Sequence, residues 1–143
     1  MSKPIQGVVA VAGRVLLSLI FLLAAVGDKI PNFNGVAQTM ASAGIPAPQF
    51  MLVGAIVFLL AGSLSVIFGY KARIGAGLLL VFLVLATYYF HHFWNIDDAH
   101  ASQQQLIQFM KNLSMMGAML FVIGNGSGPM SLDGRSSRTP AQR

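Results

Sequence analysis

Two cations interrupt otherwise apolar sequence in this chain. Arg14 stands inside the first apolar run, and Lys111, with Asn112 beside it, stands inside the last. Charges within a membrane-spanning segment are rare, and they mark ligand or ion pathways or are paired. At 1.5 Å per residue, Arg14 lies roughly 14 Å along its run. No carboxylate lies at that depth. Its expected partners are backbone carbonyls, a hydroxyl such as Ser18 one turn on, a bound anion, or head groups reached by snorkelling.

Gln104, Gln108, Lys111 and Met115 fall on one helical stripe, with Asn112 next to it. Facing lipid would leave the amides and the ammonium without partners, so the stripe is expected to face protein. Asp28, at the far end of the first run, lies at a compatible depth and is the expected ion partner of Lys111.

The segment Tyr88-Tyr89-Phe90-His91-His92-Phe93-Trp94-Asn95 closes the third run. Tyr and Trp form an aromatic belt at a membrane interface. Neighbouring residues on a helix point about 100° apart, so one of His91 and His92 can face the bundle interior. His100, Asp97 and Asp98 are near in sequence, yet neither ligand spacing nor a second cluster supports a metal site. Haem ligation by histidines of two helices has no second helix to draw on.

The elements that must position these residues are four apolar runs, at about 5–27, 49–69, 72–93 and 105–124 of a 143-residue chain. Each meets the roughly 20 residues a spanning helix requires. Hydrophobic residues make up 55% of the chain and charged residues 9%. A soluble domain carries about 25% charged residues. One all-α membrane domain over 1–124, an antiparallel four-helix bundle, is therefore expected. Arg14 in the middle of the first run argues against a cleaved signal peptide, although Ala24–Ala25 is a small-residue pair of the kind cleaved.

Lys3, Lys71, Arg73, Arg135, Arg138 and Arg143 fall on one side of such a bundle, and the other side carries Asp28, Lys29, Asp97 and Asp98. The positive-inside rule then places both termini in the cytoplasm. The flanking arrangement of the basic residues also argues against a nucleic-acid surface, despite a formal charge of +5. The Gly69–Ala72 turn forces the second and third helices into a hairpin. Residues 35–43 are expected to form a short interfacial helix, ended by Pro46 and Pro48. Ala61, Ser65 and Gly69, with Gly75, Gly77 and Gly117, predict close helix packing inside the bundle. Residues 125–143, rich in Gly, Ser and Pro, are expected to be a disordered cytoplasmic tail.

With this topology Asp28, Lys29, His91 or His92, Trp94, Lys111 and Asn112 can meet at the outer end of the bundle. Aromatic walls with a few polar groups suit an amphipathic ligand. A quinone fits chemically, because its carbonyls accept from Lys, Asn or His and its ring stacks on aromatics. Cysteine is absent, which excludes disulfides, thiol redox chemistry and Cys-ligated metal clusters. Electrons, if any, reside on a bound quinone or on a partner.

The same segments carry a family resemblance. Gly13-Arg14-Val15-Leu16-Leu17, Phe21 and Gly27-Asp28-Lys29-Ile30 resemble the opening signature of the DoxX family, and Gly44-Ile45-Pro46 its usual end to the first loop. Phe90-His91-His92-Phe93-Trp94 and Phe109-Met110-Lys111-Asn112-Leu113 resemble the closing signature of one branch. The resemblance implies four transmembrane helices in the bacterial inner membrane. It also implies association with redox complexes: the family name derives from subunits of a terminal quinol oxidase and thiosulfate:quinone oxidoreductase system. Arg14, Lys29, His91, Trp94, Lys111 and Asn112 are the positions it singles out. One departure matters. Many members carry an acid early in the second helix, where this chain reads Ala55-Ile56-Val57-Phe58-Leu59-Leu60-Ala61-Gly62.

The resulting expectation is an accessory or quinone-binding subunit of a membrane redox complex rather than an enzyme acting alone, with catalytic residues unassigned. The expected partners are the lipid bilayer, other membrane or redox subunits, and further copies of the chain. A non-catalytic scaffold is the alternative. A small oligomeric transporter is a third, weakened by the lack of an inverted repeat or broken helix.

Overall fold

The computed structural model describes residues 2–136. Helix α1 spans Lys3–Leu23 and continues as a π-helical segment, Ala24–Lys29. Helices α2, α3, α4 and α5 span Phe33–Ser42, Pro48–Phe68, Ala72–Phe90 and Ala99–Asn125, and a short α6 covers Leu132–Ser136. Among the described residues four helices are long and apolar enough to cross a membrane: Lys3–Lys29, α3, α4 and α5.

The element boundaries have local causes. Pro48 sits at the start of α3, where a missing N–H costs nothing. The helix stops at Gly69, whose φ of +62° is left-handed and natural for glycine. Tyr70 N–H then bonds Ser65 O at 3.0 Å, and the Ser65 hydroxyl donates to Tyr70 O at 2.6 Å, so the hairpin turn is tied from both sides. Helix α5 starts six residues earlier than expected, because the Asp98 carboxylate accepts from Ala101 N–H at 2.7 Å and caps it. Helix α4 ends at Phe90, not at 93, so His91 and His92 belong to the connection. There Ser102 Oγ donates to Phe93 O at 3.0 Å and ties the connection to α5.

Helix α4 packs between α3 and α5, and α1 lies against α3. One core runs through all four: Phe21 and Ala25 from α1 and its π segment, Leu59 and Val66 from α3, Ala76, Leu79 and Leu83 from α4, and Met119 and Val122 from α5. Helix α2 buries Ala37 and Met40, together with Ile45, on Leu52, a smaller core at the end of the bundle away from the α3–α4 turn. That end is called here the loop end, and the other the turn end.

Tight packing falls on two glycines. A Cβ on Gly62 would sit 2.7 Å from Leu79 Cγ and 2.9 Å from Gly75 O; one on Gly75 would sit 2.5 Å from Ser65 Cβ and 3.0 Å from Gly62 O. The two helices therefore meet backbone to backbone, the geometry that small residues permit in a membrane. Gly77 and Gly117, expected to serve the same purpose, face open space. Ala61 is likewise exposed.

Residues 126–136, expected to lack order, fold back over the turn end. Asp133 Oδ1 accepts from Lys71 N–H at 2.8 Å and its Oδ2 from Ala72 N–H at 3.1 Å. Asp133 N–H in turn donates to Gly69 O at 2.8 Å. The free amides at the start of α4 supply what the polar composition of the tail could not by itself: fixed partners. Residues 137–143, with Arg138 and Arg143, lie outside the described residues.

Candidate functional site

The residues singled out by sequence separate into two groups at opposite ends. Arg14 and Lys29 share one helix and are 15 positions apart, roughly 22 Å at the α-helical rise. They do not form one site.

At the loop end the polar side chains are engaged in pairs. His91 Nδ1 lies 2.9 Å from Gln105 Oε1, joining the α4–α5 connection to α5. Asn112 is buried, and its Nδ2 donates to Thr87 Oγ1 at 2.9 Å, a side-chain bond between α5 and α4. Lys111 Nζ donates to Gln108 Oε1, one turn back on its own helix. Lys29 Nζ sits 5.8 Å from the Phe82 ring centroid and 3.6 Å from Asp28 Oδ2.

The expected Lys111–Asp28 pair is therefore not formed. The Asp28 side chain is 59% exposed and that of Lys29 18%, so the lysine turns toward the bundle and the aspartate away from it. The stripe of Gln104, Gln108, Lys111 and Met115 lies at the margin of the α5 packing face, with Gln104 and Lys111 exposed and Gln108 and Met115 half-buried.

Aromatic side chains complete this end. The Phe93 ring meets Trp94 and Phe109 edge to face, with centroids 5.3 and 5.5 Å apart, and Trp94 lies 6.4 Å from Phe109. His92 is exposed, its ring centroid 6.2 Å from that of Trp94. Trp94 remains 60% exposed. The cluster is a shelf: apolar ring faces and edges with a titratable imidazole on the rim. Asp97 and His100 point outward, and among the described residues no three His, Cys, Asp or Glu side chains group as metal ligands.

At the turn end Arg14 is only 6% exposed. Of the partners anticipated for it, a backbone carbonyl is the one made: Nη2 donates to Met130 O at 2.8 Å. Its Nε and Nη1, and the Oγ of Ser18 one turn on, are buried without hydrogen-bond partners. Gly69 makes room for the guanidinium, because a Cβ there would collide with Arg14 Nη1 and with Ser131 Cβ. Ser127, Met130, Ser131 and Asp133 are the residues here that sequence reasoning missed. The one available signal was Asp133 itself, a lone acid in a basic tail.

The family model DoxX matches residues 9–92. The chain belongs to the DoxX family. As a DoxX-family chain it is 32% identical over 129 residues to the Escherichia coli inner membrane protein YphA, covering 90% of each chain. It is 30% identical to the inner membrane protein YqjF of the same organism, over 92% of this chain and 94% of that one. A more distant similarity, 26% identity over 85% of this chain and 35% of the other, links it to a Surfeit locus protein 4 homolog of Schizosaccharomyces pombe. No solved structure matches. The DoxX match ends at His92, so the Trp94 shelf and the residues of α5 lie beyond it.

Proposed function

We propose that this DoxX-family protein is an accessory subunit of a membrane redox complex, and that its loop end contributes one wall of a quinone site. The observation that carries the reading is the shelf of Phe93, Trp94 and Phe109 with His92 exposed on its rim. A quinone ring stacks on such faces, and its carbonyls accept from the imidazole or from the exposed ammonium of Lys111. Imidazole also exchanges a proton near neutral pH, as quinone reduction requires. The deeper polar groups are already paired, so this chain offers a rim rather than an enclosed pocket. A rim suits a subunit whose neighbour closes the site. With no cysteine in the sequence, the electrons belong to the quinone and the partner. The names of the two bacterial relatives support an inner-membrane location, and the distribution of Lys and Arg supports cytoplasmic termini.

A non-catalytic scaffold is the second reading. It is favoured by the pairing of His91 and Asn112 within the chain, which leaves few deep groups for a ligand. Native mass spectrometry of protein extracted gently from its own membrane separates the two. Stoichiometric quinone, or a redox partner, released by His92→Ala with Trp94→Ala supports the first. A ligand-free homo-oligomer, or a complex without a redox component, sinks it.

A further inference from the structure

The turn end carries a second constellation that the quinone reading does not use. An open groove of about 500 Å³ is lined by Lys71, Arg73, Asn125, Ser127, Ser131 and Asp133, among others. Arg14 stands behind its Ser127–Ser131 wall, buried, with Nε and Nη1 unpartnered, and Nη1, Ser127 and Ser131 all crowd the Cα of Gly69. The amides of Lys71 and Ala72 open helix α4 into the same place. Two helix-terminal donors thus hold the carboxylate of Asp133, and the cationic side chains of Lys71 and Arg73 line the same groove. Lys71 otherwise lies over the Tyr70 ring at 5.7 Å, and Arg73 makes a long bond of 3.4 Å to Gly124 O.

We infer that the turn end is a binding site for a phosphate group, and that the chain's own Asp133 occupies it in the unliganded protein. The Asp133 carboxylate accepts from the α4 amides and from Ser127 Oγ, at 3.4 Å, as a phosphate oxygen accepts at a helix N-terminus. A phosphate brings further acceptor oxygens for the side chains of Lys71 and Arg73 and for the idle nitrogens of Arg14, and a free phosphate brings a second negative charge as well. Binding proceeds by exchange: the Met130–Asp133 strap lifts, Arg14 exchanges the Met130 carbonyl for a phosphate oxygen, and the α4 amides change acceptor. Basic pockets between transmembrane helices at the membrane surface are built to take phospholipid head groups. The chemistry is equally that of free phosphate.

The test uses the full chain in a neutral detergent, with thermal unfolding read against added phosphatidylglycerol, phosphatidylcholine or inorganic phosphate. Protection by phosphatidylglycerol alone identifies a lipid phosphate in an anionic head group, and protection by inorganic phosphate identifies a free anion. In either case Lys71→Gln with Arg73→Gln, at exposed positions, should weaken the apparent affinity about tenfold or more, and Asp133→Asn should strengthen it. Equal protection by phosphatidylcholine, protection unchanged in the Lys71/Arg73 variant, or no protection by either anion overturns the inference. Arg14→Gln is informative if it folds; the surface double variant does not depend on it.

Discussion

Arg14 of α1 donates to the main-chain carbonyl of Met130, 116 positions later, at 2.8 Å. The bond joins the first helix to the segment between α5 and α6. It satisfies one guanidinium nitrogen, in a setting where an unpaired buried donor costs about 1–3 kcal/mol. Removing residues 127–143 should therefore lower the thermal unfolding temperature. Arg14→Met should reduce that sensitivity, because no stranded cation remains, leaving the part carried by the Asp133 bonds. Equal losses from truncation in both backgrounds would show that the tail stabilises the bundle by another route.

Asn112 and Thr87 form a second long-range link, between α5 and α4. Interhelical hydrogen bonds in membranes average about 0.6 kcal/mol and reach about 1.7. Thr87→Val should cost somewhat more than that average, since it leaves the buried Asn112 amide without its acceptor. Adding Asn112→Leu should recover part of the loss. Unfolding in mixed micelles, compared over the full double-mutant cycle, gives the coupling directly; a coupling of zero would mean the bond contributes nothing net.

The glycines divide sharply. Gly62→Ala and Gly75→Ala push a methyl into Leu79 and Ser65 respectively, and each should cost about 1–3 kcal/mol. Gly77→Ala and Gly117→Ala meet open space and should be neutral or slightly stabilising, given the helix propensity of alanine. Unfolding midpoints for the four variants decide it. A costly Gly117→Ala would reveal a neighbour on the outer face of α5, such as a second subunit.

Asp28 and Lys111 serve as a negative control. Each is paired elsewhere, Asp28 with Lys29 and Lys111 with Gln108. The effects of Asp28→Asn and Lys111→Gln on stability should add within about 0.5 kcal/mol. A clear non-additivity, measured at low salt, would restore the direct pairing suggested by their depth.

Four spanning helices were legible from run length and hydropathy, and α2 was legible from the interval between Asn34 and Pro46. Those signals are local. Helix starts depend on single caps, and the Asp98 cap was readable in principle, because it lies three residues before the amide it accepts. The fold-back of the tail was not. Asp133 is bound to amides more than 60 residues earlier, and nothing in a Gly- and Ser-rich segment specifies so distant a partner. The separation of Arg14 from Lys29 was implicit in one helix length. The pairing of Lys111 was not, because adjacent Asp28 and Lys29 fall on different sides of a helix and the π segment decides which side.

That segment, Ala24–Lys29, has a wider meaning. A π-turn accommodates one residue more than an α-turn, so everything beyond it is rotated by about 100° relative to an uninterrupted α-helix. Here the rotation directs Lys29 onto Phe82 and leaves Asp28 outside. Loss of a single residue from within this stretch would convert the π-turn to an α-turn and leave Lys29 facing Phe82, because the missing residue and the lost offset cancel. Length variation at this point is therefore absorbed locally, open to a lineage that keeps every other helix and the charge at the bundle wall unchanged.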